Sequence, residues 1–467
     1  MSPGILKTIR RVIALFFLLS TVLLFSGLAA LLPEQAVRYI TWIQFIPSFL
    51  RFTFILSIYT SGFILVIIMT LFYGRVYCSF ICPLGIFQDI FIRLSAIFLK
   101  RENTYKRPLY AFSFSLLLIC ILPLFFHNIL FLNLLDPFGL SGKIFAGPRG
   151  TLALSTGLLL FFMLLSMSKN RWYCNLICPV GILLGLISRV SFFRLRVDVS
   201  RCRSCGTCEA GCRSNCIDFR DHRLDFDRCV GCMDCLDSCP EKALKYKFRW
   251  KKRNEPVISD KSKVDLSRRA FLKTTACGAV TMAGFISTSA LAVQPEQVME
   301  SHPVMPPGAI SLSHFTEKCT ACQLCISTCP THVLQTSFFE YGLSGLFQPK
   351  MDFSRSFCRY DCVKCPEICP TGAIQLLTLK EKQKVQIGLA VFQKNQCLVV
   401  AEHKTCAKCA EHCPTKAIEL LPYLGSLFIP YVNSSFCNGC GACEYYCPVR
   451  PDRAIYVEAK LYHRKLV

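Results

Sequence analysis

The 467 residues contain no Cys-x-x-Cys-His, no glycine-rich loop fit to cradle a phosphate and no Gly-x-Gly-x-x-Gly. Covalent haem attachment, P-loop nucleotide chemistry and dinucleotide binding therefore lack their signatures. Acidic residues are scarce, 30 against 53 Lys and Arg, for a formal charge of +23. That charge treats each of the 31 cysteines as neutral. What the chain has in excess is apolar surface and thiols: 52% of residues are hydrophobic and the mean hydropathy is +0.41, too apolar for an ordinary soluble protein. The length allows two to four domains.

Apolar residues concentrate before Lys169. Four runs approach the roughly 20 residues a bilayer core requires: about Val12 to Leu32, Phe52 to Phe72, Leu109 to Phe131 and Thr151 to Met167. Lys7, Arg10 and Arg11 precede the first run, and Arg75, Arg93, Lys100, Arg101, Lys106 and Arg107 follow the second. The intervening loops carry only Arg38 and Arg51, then Lys143 and Arg149. The positive-inside bias predicts four spans with both ends of the unit in the cytoplasm.

All cysteines but Cys120 and Cys277 fall in tight groups. RVYCSFICPLG follows the second span and RWYCNLICPVG the fourth, an internal repeat of Cys-x3-Cys-Pro at equivalent membrane exits. On a continuous helix, positions i and i+4 share a face, so Cys78 with Cys82 and Cys174 with Cys178 could present four sulfurs toward one another. Buried inert thiols, a redox-active dithiol pair, a copper site and a further iron–sulfur cluster all fit that pattern.

The next stretch is more specific. Cys202-x2-Cys205-x2-Cys208-x3-Cys212 precedes Cys229-x2-Cys232-x2-Cys235-x3-Cys239-Pro. In this spacing three close thiolates hold one [4Fe–4S] cube and the fourth joins the other cube. That gives Cys202, Cys205, Cys208 with Cys239, and Cys229, Cys232, Cys235 with Cys212. Arg213 stands where proline is expected, and Cys216 where a small apolar residue is usual, which leaves Cys216 a spare. Iron-bound thiolates would cancel much of the positive charge, and nucleic-acid binding is not implied.

Beyond a charged linker, SRRAFLKTTACGAVTMAGFISTSALA carries Arg268 and Arg269 ahead of an apolar stretch ending in Ala290-Leu291-Ala292. This fits a twin-arginine export signal, although a fifth membrane helix with basic flanks has the same outline. Its place past the middle of the chain makes sense if only the C-terminal segment is exported, after its cofactors are inserted. That segment holds Cys319-x2-Cys322-x2-Cys325-x3-Cys329-Pro, Cys358-x3-Cys362-x2-Cys365-x3-Cys369-Pro, Cys397-x8-Cys406-x2-Cys409-x3-Cys413-Pro and Cys437-x2-Cys440-x2-Cys443-x3-Cys447-Pro. Four quartets imply four more cubes.

The N-terminal part through about Tyr246 resembles the NapH type of membrane ferredoxin, with its two Cys-x3-Cys-Pro motifs. The part from Ser267 to Val467 resembles the NapG or MauM type of twin-arginine-exported polyferredoxin, with its irregular x3 and x8 intervals. The resemblance implies an accessory quinol dehydrogenase that serves a periplasmic reductase or cytochrome, with the quinone pool and the twin-arginine translocase as partners. It also implies that group one pairs with group four and group two with group three: Cys319, Cys322, Cys325 with Cys447; Cys437, Cys440, Cys443 with Cys329; Cys358, Cys362, Cys365 with Cys413; Cys397, Cys406, Cys409 with Cys369.

The expected architecture is a membrane α-helical bundle of four spans plus a signal-anchor helix, carrying α+β bacterial-ferredoxin-like dicluster domains. Its expected parts are a membrane domain (1–190), a cytoplasmic two-cube domain (191–248), a linker (249–266), a signal or anchor helix (267–293) and a periplasmic four-cube domain (294–467). Six [4Fe–4S] clusters are expected, with a seventh at Cys78, Cys82, Cys174 and Cys178, in a protein of the bacterial inner membrane. Quinone contacts are sought near the outer ends of the spans, at Gln44, His127 and Asp136. Conduction from a cytoplasmic ferredoxin, or reduction of a partner's metal or cofactor during maturation, are the other functions this sequence allows.

Overall fold

The computed structural model describes residues 3–28, 32–54, 61–98, 103–126, 128–146, 152–248 and 303–466. Arg268, Arg269, Cys277 and the linker lie outside these residues, as does His127.

Two described helices are long and apolar enough to cross a bilayer, Gly4–Phe25 and Leu152–Lys169. The first run therefore forms its helix earlier than Val12 to Leu32, over Pro3–Phe25, and stops before Gly27, whose φ of 78° leaves the helical region. The second run contains the helices Phe45–Phe54 and Gly62–Tyr73. The third begins as a helix at Tyr110–Ile121 and tightens into a 3-10 turn over Leu122–Phe126. The outward face of Pro3–Phe25 is apolar, with Val12, Phe16 and Leu19 about 60% exposed. The inward faces of Phe45–Phe54, Gly62–Tyr73 and Leu152–Lys169 meet in one core that holds Val66, Phe162, Leu184 and the thiols Cys78, Cys82, Cys174 and Cys178.

The Cys-x3-Cys-Pro repeats break their helices. Cys78 sits in the short helix Tyr77–Phe80, and a new helix starts at Pro83; Cys174 sits in Trp172–Leu176, and a new helix starts at Pro179. Proline has no N–H and clashes with the preceding turn, so it opens a helix instead of continuing one. Each second cysteine thus lies in the break, its N–H reaching back five residues, Cys82 to Tyr77 O (3.0 Å) and Cys178 to Tyr173 O (2.9 Å). The expectation that each pair shares one helical face is corrected: a bent corner, repeated twice, turns the four thiols inward.

Two cysteine-rich regions cap opposite ends of Pro3–Phe25. Near its start, Lys7 Nζ donates to Asp237 at 2.6 Å in the region from Phe193 to Phe248. That region is closed by antiparallel pairing of Phe193–Val197 with Leu244–Phe248. At its far end, Phe25 packs on Phe138 (ring centroids 5.3 Å apart) within the core that holds Cys319, Cys322 and Cys325. A 23-residue helix spans about 34 Å at 1.5 Å per residue, which sets the separation of the two caps. The far cap, residues 303–466, is built from small hairpins and short helices, with Val385–Phe392 paired to Ile455–Lys465 as its longest ladder.

Candidate iron–sulfur sites

Every described cysteine is a free thiol, and no described group of three or more His, Cys, Asp or Glu is close enough to hold a single metal ion. Thiols spread around a larger body meet both observations. In the inner cap one cavity of about 30 Å³ is lined by Cys202, Cys205, Cys208 and Cys239, and another of about 20 Å³ by Cys212, Cys229, Cys232 and Cys235. These are the two quartets expected from the spacing. Positive backbone φ turns the chain around each, at Ser204 and Gly206 in the first and at Gly231 and Met233 in the second.

Cys216 has a definite place. Its sulfur lies 3.5 Å from that of Cys212 and also bonds Cys229. The hydrogen bond from Cys216 holds the Cys212 thiol down to about 7 and lowers Cys229, while Cys216 itself is pushed well up. Cys216 thus sits between two ligand sulfurs, four residues after Cys212, where Ala243, Val333, Ala373 and Ala417 follow the fourth cysteine of other groups. Its neighbour Arg213, in place of proline, reaches Asp89 on the bundle at 3.1 Å and pairs with Asp234.

In the outer cap the structure changes the expected pairing and keeps the ligand set. A cavity of about 20 Å³ is lined by Cys358, Cys362, Cys365 and Cys329, and one of about 10 Å³ by Cys437, Cys440, Cys443 and Cys413. Cys369 lies within electrostatic reach of Cys319, Cys322 and Cys325, and Cys447 within reach of Cys397 and Cys409. Group one thus exchanges ligands with group two, and group three with group four, against the expected one-with-four and two-with-three. The cause is local packing: helix Leu324–Thr328 lies on Lys364–Ile368, and Lys408–Glu411 on Ala442–Tyr446. The two units then abut where Cys358 N donates to Cys440 O at 2.9 Å.

Between the caps, Cys78, Cys82, Cys174 and Cys178 are each at most 4% exposed and within electrostatic reach of one another. Two buried arginines cross between the repeats. Arg75 donates to Cys174 O (2.9 Å) and Arg171 to Cys78 O (3.0 Å). Glycine permits the approach: a Cβ on Gly85 would stand 2.2 Å from Cys78 O, and one on Gly181 2.1 Å from Cys174 O. Toward the inner cap, Ser79 Oγ donates to Val230 O at 2.7 Å, joining the residue after Cys78 to the residue after Cys229. Toward the outer cap, Tyr173 donates to Leu135 O at 2.8 Å, and the helix Pro137–Phe145 puts Gly142 so close to Cys322 O that a Cβ would fall 2.0 Å away.

Of the residues expected at a quinone site, His127 lies outside the described residues, and Asp136 and Gln44 have the following contacts. Asp136 caps the helix Pro137–Phe145, its carboxylate accepting from Phe138 N (3.1 Å) and Gly139 N (2.8 Å). Gln44 is fully buried and accepts from Tyr77 at 3.0 Å. Asp136 is engaged in the fold through both carboxylate oxygens, whereas Gln44 is engaged through its oxygen and its side-chain N–H has no partner among the described residues.

Quartets of free thiols around small cavities on ferredoxin-type loops define an iron–sulfur electron-transfer protein, a polyferredoxin. A family described as "4Fe-4S binding domain" matches residues 55–102 and 151–199, and one described as "4Fe-4S dicluster domain" matches 228–333 and 404–450. The ferredoxin-type protein NapF of Escherichia coli K12 is 30% identical over 34% of this chain and 88% of its own length. The methylamine utilization ferredoxin-type protein MauM of Methylophilus methylotrophus is 31% identical over 41% of this chain and 84% of its own. MauM of Methylobacillus flagellatus is 32% identical over 41% and 82%. The chain belongs to this family of ferredoxin-type [4Fe–4S] proteins. No solved structure matches it.

Proposed function

We propose that the chain is a membrane-bound quinol dehydrogenase component that gathers electrons from the quinone pool and delivers them to an exported reductase of the nitrate-reductase-accessory type. The observation that carries this reading is the arrangement of two cysteine-rich caps at opposite ends of an apolar bundle, with four buried thiols between them. In this reading the bundle crosses the inner membrane four times, the inner cap is cytoplasmic and the outer cap periplasmic, as a NapH-like unit fused to a NapG-like one. Cubes, when bound, supply one-electron carriers. The chain's own contribution is to hold thiolates in quartets, exclude water from them and fix the caps against the bundle. Cys78, Cys82, Cys174 and Cys178 hold a seventh iron–sulfur centre, supported by their mutual proximity and by the family match across both repeats.

Quinol-driven bleaching of the iron–sulfur absorbance in membrane vesicles tests the function. Bleaching by a reduced quinone supports it; bleaching only by a reduced cytoplasmic ferredoxin makes the chain a conduit from that donor. Iron and acid-labile sulfide per chain test the seventh centre, because replacing its four cysteines by serine must lower both, and an unchanged iron content leaves a dithiol. Export is tested by replacing Arg268 and Arg269 with lysine, which must leave residues 303–466 protected from protease added to spheroplasts.

A further inference from the structure

A cavity of about 180 Å³ lies where the bundle meets the inner cap. Among the described residues that line it, seven are Lys or Arg and one, Asp227, is acidic. The cations come from separate segments: Arg107 from the loop before the helix Tyr110–Ile121, Lys169 and Arg171 from the end of Leu152–Lys169 and just beyond it, Arg189 from the end of Pro179–Ser188. The nearby carboxylates are already engaged. Asp227 takes Arg189 at 2.8 Å, and Asp89, which pairs with Arg171, is shared with Arg213 and Arg10. Arg107 and Lys169 have no carboxylate partner among the described residues, and both are exposed, so an anion can reach them from outside. A surplus of positive charge drawn from several segments around one cavity calls for a bound anion. A phosphate has fewer heavy atoms than benzene, which a cavity of about 150 Å³ takes up, so it fits.

The neighbouring surface says which kind of anion. Leu109 and Phe114 line the cavity beside the cations, as does Trp172, 37% exposed. From Leu109, 61% exposed, the exposed apolar side chains Phe112, Leu118 and Ile121 continue along Tyr110–Ile121. Basic side chains, an aromatic ring and an apolar track in that order mark a membrane–water interface on its cytoplasmic side, where basic pockets between helices hold anionic head groups. A soluble anion would leave the apolar track unused.

We propose that this cavity binds the phosphate of an anionic phospholipid, with Arg107 and Lys169 as its charge partners and the acyl chains lying along Tyr110–Ile121. The site requires the bundle to span a bilayer, as in the reading above, and its ligand carries no electrons. Asn103 and Tyr105, in the loop that supplies Arg107, already bond Ala210 O (2.8 Å) and Glu209 (2.7 Å), so a lipid held here seats the inner cap against the membrane. The test uses the full-length protein, purified in detergent and also reconstituted into vesicles. Native mass spectrometry of the wild type should show phosphatidylglycerol retained through delipidation and phosphatidylcholine lost. Arg107→Gln combined with Lys169→Gln should weaken that retention about thirtyfold, while dithionite still reduces the wild-type amount of cluster. Arg107→Lys with Lys169→Arg should keep the lipid. Should the glutamine pair lose cluster, Lys169→Gln alone is read in its place, with about a fivefold loss. Equal retention of the two lipids, or retention unchanged by the glutamine substitutions, overturns the site; flotation of the protein with vesicles then leaves the membrane reading standing. Protein that floats with vesicles of neither lipid sinks the membrane reading itself. Inorganic phosphate that binds the delipidated wild type, is weakened by the glutamine pair and is not displaced by phosphatidylglycerol overturns the lipid in favour of a soluble anion.

Discussion

The two caps meet the bundle in different ways. The inner cap is held by charge: Asp89, 5% exposed, takes Arg171 at 2.8 Å, Arg213 at 3.1 Å and Arg10 at 3.4 Å, so one carboxylate ties the first helix, the second repeat and the inner cap together. The outer cap is held mainly by shape: Phe25 and Phe138 share a core with Cys319, Cys322 and Leu324, the bare Cα of Gly142 lies under Cys322 O, Lys143 stands 5.1 Å over the Phe347 ring, and Asn133 donates to Leu346 O at 2.9 Å. A charged joint is intolerant of losing one partner, whereas a close-packed joint is intolerant of added volume. The difference also fits the proposed assembly order, in which the outer cap folds with its cofactors before it reaches the bundle and so needs a surface that is complete beforehand.

The sharpest way to break this contrast is Asp89→Asn. It leaves three buried guanidinium groups around a neutral amide and should cost about 3–5 kcal/mol, the usual penalty for orphaning buried charge. Detergent-solubilised protein should lose its inner-cap iron and unfold at markedly lower temperature; a melting temperature within a degree or two of wild type would remove Asp89 from its central role. Gly142→Val attacks the other joint. Overpacking of this kind costs about 1–3 kcal/mol, and limited proteolysis should liberate residues 303–466 while the inner cap stays attached. If Gly142→Val instead loosens the inner cap, the two joints are not independent. Cys216→Ala removes one hydrogen bond to ligand sulfur, worth about 1 kcal/mol, and should shift the midpoint of one inner cube negative by roughly 40 mV. Redox titration followed by EPR would show it, and the outer cubes should not move.

Acid should act through one group in the outer cap. Burial pushes His463 in the outer cap down to about 4, below its ordinary value near 6.5. The unfolded chain then binds the proton first, so stability is full above about pH 6.5 and falls as pH drops toward 4. Denaturant midpoints of the wild type and His463→Gln across that window should converge at low pH; parallel curves would exclude the histidine as the cause.

How far the chain could be read from residues alone differs along its length. Regular Cys-x2-Cys-x2-Cys-x3-Cys spacing fixes which thiols form a quartet, because three ligands come from one tight loop, and in the inner cap only one exchange of fourth ligands is available. In the outer cap four groups allow several exchanges, and the choice falls to which short helices pack, information that Leu324–Thr328 and Lys364–Ile368 do not carry in their own sequences. The Cys-x3-Cys-Pro repeats were visible, yet i and i+4 on a helix was the wrong geometry for them, since Pro83 and Pro179 end one helix and begin another. Gln44 and Asp136 stood out as polar residues in apolar surroundings, and the structure shows their partners to be Tyr77, Phe138 and Gly139.

The crossed arginines have a consequence for the repeat as a heritable unit. Arg75 secures the corner that contains Cys174, and Arg171 the corner that contains Cys78, so neither half owns the groups that complete it. A chain cut between residues 147 and 151 should therefore yield two fragments that are each unstable in the membrane but accumulate together when co-expressed, as complementing halves of a pseudo-symmetric pair.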